Sequence, residues 1–218
     1  YASTAFIVIS NHPPLQLLFA VPACFWGVVN TYAAVIKKEF LQFPLFWLGW
    51  PSVLAGMAVP IDRGDKSAAY EAISKYAERL PFGKRPFAVI LFPDGSRPTP
   101  EKIVGSWEKS VKRFPEMFGG VSQFTHTLVP KPGGLFQLIG AMRAANRCGK
   151  VRVINMTFGT QVPQWKLSDL PKIVGTYVLV ETHEVTSEID ACKDIVALQS
   201  WLLREYARKQ VVLADFQR

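Results

Sequence analysis

Cysteine is scarce in this chain. Its three residues, Cys24, Cys148 and Cys192, lie far apart and show no C-x-x-C spacing. Their number and spacing argue against a disulfide framework and a cysteine-ligated zinc site, and fit a reducing compartment. Histidine is equally sparse: His12, His126 and His183 stand alone, without the short spacings of a metal site. No G-x-S-x-G pentapeptide occurs, so a serine nucleophile on a strand-to-helix elbow is not expected. Charge is low, with 19% charged against 49% hydrophobic residues, a balance foreign to disordered chains. No signal peptide, internal repeat, low-complexity segment or convincing linker is visible in these residues. The most apolar stretch, Leu15 to Ile36, is long enough to span a membrane, but Gln16, Pro22, Gly27 and Asn30 interrupt it. Pro22 and Asn30 favour a buried helix followed by a strand.

What remains is a chain of 218 residues, enough for one domain, residues 1–218, with a substantial core. It begins at Tyr1, inside an apparent strand, so any N-terminal membrane anchor is expected upstream of residue 1. Lys and Arg number 25 against 17 Asp and Glu, giving a net charge of +8 and a pI near 9.5. Such a surface favours anionic partners: phosphate esters, an acidic carrier, anionic lipid or nucleic acid. Charge alone does not choose among them. No stacking module or helix-turn-helix signal supports nucleic acid, so none is expected as a partner. The 12% aromatic content points to a surface that also meets something apolar.

Strand and helix patterns alternate. Strands are predicted over Thr4 to Ser10, Tyr32 to Ile36, Ala58 to Ile61, Phe87 to Phe92, Val151 to Phe158 and Thr176 to Val185. Helices are predicted over Leu15 to Val29, Lys66 to Leu80, Glu101 to Phe114 behind Pro100, Gly133 to Asn146, and Asp190 to Arg208 or beyond. Phe43 to Leu54, holding Pro44 and Pro51, reads as an aromatic helix or hairpin. Ala69, Ile73, Tyr76, Ala77 and Leu80 share one helix face, and Ile195, Leu198, Trp201, Leu202 and Tyr206 share another. This alternation predicts an α/β fold: a twisted, mostly parallel sheet flanked by helices.

Two polar turns stand out against that background. Ser10-Asn11-His12 closes the run Phe6 to Ile9, and Phe92-Pro93-Asp94-Gly95-Ser96-Arg97 closes Phe87 to Leu91. At the C-terminal edge of an open sheet, such turns converge on one substrate. An imidazole there can take a proton from an alcohol, and Arg97 beside a flexible Asp-Gly turn can grip a phosphate. Taken singly, each turn is as readily an ordinary polar strand end. Lys37-Lys38-Glu39-Phe40 and Asp62-Arg63 also place cations after strands, where most charges are simply solvated.

In order, the blocks are Ser10-Asn11-His12, Lys37-Lys38-Glu39-Phe40-Leu41-Gln42-Phe43-Pro44, Ala58-Val59-Pro60-Ile61-Asp62-Arg63, Phe92 to Arg97, and Leu128-Val129-Pro130-Lys131. Together they resemble the glycerolipid acyltransferase superfamily, which includes the 1-acylglycerol-3-phosphate (lysophosphatidate) acyltransferases. Pro98-Thr99-Pro100-Glu101-Lys102 and the tail from Trp201 to Phe216 are similar to the lysocardiolipin-type branch and its bacterial relatives. The resemblance implies that His12 is the catalytic base. It implies that Lys37, Arg63 and Arg97 hold the glycerol phosphate. Asp94, Gly95 and Ser96 stand where Glu, Gly and Thr are usual, and Lys131 falls on the thioester or phosphate side. It further implies an acyl-CoA or acyl carrier protein thioester as co-substrate, no bound cofactor and no metal, a lysophospholipid acceptor, and a membrane-associated protein facing a reducing cytoplasmic compartment. The aromatic segment Phe40 to Trp50 is expected to pack mainly into the core, with an acyl channel or membrane surface as its other use.

One departure cuts across this pattern. The family's acid belongs five residues after His12, where this chain has Leu17, and the segment from His12 to Leu17 carries no carboxylate. Such an acid fixes the imidazole tautomer and stabilises the imidazolium; in serine proteases its loss costs about 10⁴ in turnover. Three outcomes follow: another group, Asp94, Asp62 or Gln16, orients the ring; the enzyme works slowly by positioning alone; or the fold binds lipid as a non-catalytic or scaffold member.

Overall fold

A computed structural model describes residues 4–13, 29, 31–42, 51, 53–54, 57–62, 64–80, 82, 86–146, 150–161 and 177–217. All of the predicted helix from Leu15 to Val29 except Val29, which forms a β-bridge, and nearly all of the segment from Phe43 to Leu54 lie outside them, as do Gln16, Leu17, Arg63 and the side chain of Lys37.

Six strands among the described residues form one sheet: β1 (Ala5–Ser10), β2 (Thr31–Lys37), β3 (Ala58–Ile61), β4 (Phe87–Leu91), β5 (Val151–Thr160) and β6 (Val178–Glu184), in the order β3-β2-β4-β1-β5-β6. All neighbouring pairs are parallel except β5 with β6. Among the described residues, five α-helices accompany them: α1 (Lys66–Glu78), α2 (Pro100–Arg113), α3 (Gly133–Ala145), α4 (Thr186–Ala191) and α5 (Ile195–Phe216). The expected α/β architecture is therefore present. Helix starts follow local chemistry: Asp65 accepts from the Ala68 amide, Thr99 from Lys102 ahead of Pro100, and Asp194 from Val196 and Ala197.

The central strand β1 is buried on both faces, which is why it reads as an uninterrupted apolar run. Ala5, Ile7 and Ile9 face Ile73 and Ala77 of α1, Leu135, Leu138 and Met142 of α3, and Leu198, Trp201, Leu202 and Tyr206 of α5. Phe6 and Val8 turn the other way, toward Ala88, Ile90, Met156 and Phe158. On α1, Ala69, Ile73 and Ala77 are buried as predicted, while Tyr76 and Leu80 are partly covered.

The C-terminal helix departs from expectation in two ways. The chain breaks after α4 and restarts at Asp194, because that side chain caps a new helix in place of continuing the old one. Ile195, expected inside, is 42% exposed in the first turn of α5, while Leu198, Trp201, Leu202 and Tyr206 are buried. The helix then runs on to Phe216, well past Arg208.

α5 also braces segments that are remote in sequence. Gln199 donates to the Pro130 carbonyl, and Gln210 accepts from the Thr125 and His126 amides while donating to Thr127. Tyr206 donates to the Ser10 carbonyl, and Gln217 to that of Thr160. These contacts fix the loops at the C-terminal edge of the parallel strands.

Candidate active site

The β1–β4 ladder runs in register from Ala5 opposite Phe87 to Ile9 opposite Leu91. His12 and Asp94 keep that separation of 82 residues after the backbone ladder has ended. The His12 backbone N–H donates to Asp94 Oδ2 at 2.8 Å, so a side-chain carboxylate replaces the next carbonyl of the ladder. On the other side of β1, Asn11 does the same toward β5. Its Nδ2 donates to the Phe158 carbonyl and its Oδ1 accepts from the Phe158 N–H, both at 2.8 Å. Two side chains thus carry β1 out of the sheet without stranding buried backbone groups.

The second turn is built by its own sequence. Gly95 donates to the Phe92 carbonyl at 2.9 Å, closing a β-turn with Pro93 and Asp94 at its centre. Gly95 has φ +74°, a conformation that residues with a Cβ adopt only under strain. The Lys131 N–H donates to the Pro93 carbonyl at 2.9 Å, which ties the Leu128 to Lys131 block to this turn. α3 starts two residues later without a side-chain cap, so the positive end of its dipole lies close to Lys131.

His12 is half-buried, and its ring tilts on Phe92 with centroids 4.9 Å apart. Nδ1 lies 2.9 Å from the Pro13 carbonyl. With the proton on Nδ1 the ring donates to that carbonyl, and in this tautomer Nε2 is the acceptor nitrogen. A neutral backbone carbonyl thus meets the ring at Nδ1. Asp94, expected from the sequence as a candidate to orient the ring, engages the His12 amide instead. The other candidate carboxylate, Asp62, accepts from the Gly64 amide and lies 3.8 Å from the Lys38 ammonium. It follows the end of β3, three strand spacings or roughly 14 Å from β1.

Asp94 is buried, and its Oδ1 has no hydrogen-bond partner among the described residues. Burial pushes its carboxyl up to about 7, against the His12 amide, the Lys209 charge and the Gly95 amide, which all favour ionisation. Lys209 of α5 is buried too, and its ammonium donates to the Met156 carbonyl at 2.6 Å. Burial brings it down to about 7, opposed chiefly by Asp94 and Glu205. Tyr206 beside it is held well above its usual value by burial and by the Asp94 charge.

Of the sequence-predicted residues, His12, Asp94, Gly95, Ser96, Arg97 and Lys131 therefore gather at one edge. Arg97 and Lys131 are exposed and Ser96 half-buried. β2 carries the backbone of Lys37 to the same edge, since Lys37 pairs with Ile61 of the parallel β3. Arg63 lies outside the described residues. His126 and His183 sit elsewhere, and no potential metal-holding group occurs among the described residues. A cavity of about 560 Å³, bordered by Thr31, Ala58, Tyr76, Leu80 and Phe87, opens at the opposite edge, where the strands begin.

Sequence reasoning missed Lys209. A signal existed: Leu202, Tyr206, Lys209 and Leu213 fall at spacings of four, three and four, a single helical stripe with one lysine inside it. No protein-family profile and no curated protein matches this chain. No helix among the described residues is long and apolar enough to cross a membrane.

Proposed function

We propose that this chain transfers a fatty acyl group from a thioester, carried by CoA or a carrier protein, to the hydroxyl of a lysophospholipid such as 1-acylglycerol-3-phosphate. The observation that carries the reading is the half-buried His12 ring, with Nδ1 2.9 Å from the Pro13 carbonyl, beside the turn from Asp94 to Arg97. Nε2 takes the hydroxyl proton as the oxygen attacks the thioester carbonyl. The C–S bond then breaks, and the imidazolium returns the proton to the leaving thiolate. Arg97 and Lys131, with Lys37 and Arg63, supply the cations that would hold the phosphate. Leu17 stands in the acid's place and the Pro13 carbonyl at Nδ1 carries no full charge, so turnover is expected to be slow.

Leu17 in the acid's place favours a second reading, a non-catalytic lipid-binding member of the same fold. Thioester cleavage with lysophosphatidate as acceptor separates the two. On the catalytic reading His12→Ala lowers turnover about 10²–10⁴-fold. Arg97→Ala weakens lysophosphatidate by about 1.5–3 kcal/mol and spares an uncharged monoacylglycerol. Lysophosphatidate binding with no His12-dependent cleavage establishes the second reading. Membrane association belongs to both. With a net charge of +8, binding to anionic vesicles is expected to fall as salt is added.

A further inference from the structure

Among the described residues, one carboxyl and one amine side chain are buried, Asp94 at 3% exposure and Lys209 at 0%. They come from distant parts of the chain, the turn after β4 and the middle of α5, and both lie behind the end of β1, with no direct ion pair between them. The register shows how. Met156, whose carbonyl takes the Lys209 ammonium, lies opposite Ser10 in the β1–β5 ladder. Ser10 gives its carbonyl to Tyr206, one turn before Lys209 on α5, with the ammonium 5.1 Å from that ring's centroid. Two residues beyond Ser10, the His12 amide is taken by Asp94. An isolated ammonium in this position would be very costly, and so would an isolated carboxylate.

We propose that Lys209 is a positioning residue for His12: its buried ammonium, seated on the Met156 carbonyl, favours the Asp94 carboxylate through space, without a direct bond, and Asp94 in turn holds the His12 backbone. Asp94 fixes β1's exit from the sheet only as firmly as its own charge is maintained, because an ionised acceptor binds an N–H about twice as strongly as a neutral one. The Asp94 Oδ1 atom faces the interior without a hydrogen-bond partner among the described residues, which leaves the buried cation to offset its charge. The groups that act on Lys209 are Asp94 from the β4 turn, Glu205 and Arg208 on its own helix, and Glu181 on β6. Glu205 is engaged by Asn155 and Arg208, and Glu181 by Arg208, so Asp94 is the partner without a second cation of its own. The effect on catalysis rests on His12 acting as the base proposed above; the pairing of Lys209 with Asp94 does not.

The test follows the His12 amide proton by NMR while Asp94 is titrated through its carboxyl ¹³C signal. In the unaltered protein the His12 amide is expected to move downfield with the Asp94 midpoint as the carboxylate forms. In Lys209→Met both midpoints move up together, by a unit or more. An unchanged midpoint in Lys209→Met overturns the proposal, whether or not the protein transfers acyl groups. Should Lys209→Met fold too poorly to titrate, Asp94→Asn/Lys209→Met decides by thermal unfolding. Removing both charges restores part of the Tm lost in Lys209→Met if the two are paired. Strictly additive losses overturn the pairing. A shifted midpoint together with thioester cleavage indifferent to His12→Ala leaves the positioning of His12 standing and refutes only the acyltransferase reading.

Discussion

Asn11 and Asp94 leave adjacent strands at the same level, and both are nearly fully buried, at 4% and 3% exposure. Each substitutes a side chain for backbone at the end of the sheet. Asn11 does so with a neutral amide whose two polar atoms both meet Phe158. Asp94 does so with a charge of which only one oxygen meets a hydrogen-bond donor among the described residues. The first arrangement is complete in itself and indifferent to pH. The second depends on a cation brought from α5 and on its own proton. A sheet edge can thus be closed rigidly on one side of a strand and adjustably on the other, and His12 sits between the two.

The largest effect is expected from breaking the rigid side. Asn11→Ala strands the Phe158 N–H and carbonyl, and at about 1–3 kcal/mol for each buried orphan the loss is about 2–6 kcal/mol. Urea unfolding is expected to give the same loss at pH 5 and pH 8; a loss that varies with pH would erase the contrast. The adjustable side comes next, and its sign can be worked out from both groups. Folded Asp94 keeps its proton up to about pH 7, whereas the unfolded carboxyl gives it up near 3.8, so stability falls as pH rises across that window. Folded Lys209 loses its proton near 7 and the unfolded amine near 10.5, so stability recovers as pH rises across the higher window. Together the two groups contribute a minimum in unfolding free energy near neutrality. Asp94→Asn is expected to flatten the acid limb and Lys209→Met the alkaline limb, read from denaturant midpoints between pH 4 and 10.

The smallest effect belongs to a charge pair outside the core. Glu184 pairs with Arg152, with both side chains more than a third exposed, and also accepts from Thr186. These partners hold its carboxyl down at about 2, so its contribution is present above pH 4.5 and lost as pH falls through 2. Solvent screening limits that contribution to under about 1 kcal/mol, and Glu184→Gln should cost no more. The cost should shrink further in 1 M salt, where an exposed pair is screened and the buried pair is not.

The sheet was legible because apolar runs of five or six residues ending in polar turns have few other uses. β3 matches its predicted span from Ala58 to Ile61, and β1 and β4 fall within one residue of theirs. Where the reading slipped, side-chain capping decided the outcome. Asp194 outcompeted the continuity of the helix before it, and the first-turn position of Ile195 left that residue facing water. At the site, the grouping of His12 with the Asp94 turn could be foreseen from two parallel strands that end together. That Asp94 would serve the His12 amide and leave the ring to Pro13 could not, because that choice depends on register at the level of single atoms. Lys209 was hidden for the opposite reason: a lysine in a helix is ordinarily solvated, and only its place within an apolar stripe marks it as different.

β1, the earliest of the six strands to be synthesised, becomes an inner strand of the finished sheet. Its neighbours begin only at Phe87 and Val151, and the hydroxyl that meets its last carbonyl arrives with Tyr206. At translation speeds of about 5–20 residues per second, β1 waits roughly 4–16 s for β4 and roughly 10–40 s for α5. Throughout that time six apolar-rich residues present two open hydrogen-bonding edges, a template for pairing with other nascent chains. The central placement that gives the mature site its stability therefore leaves the half-made chain with an inner strand whose partners are not yet synthesised. The arrival of α5, which braces both the strand and the loops around it, ends that exposure.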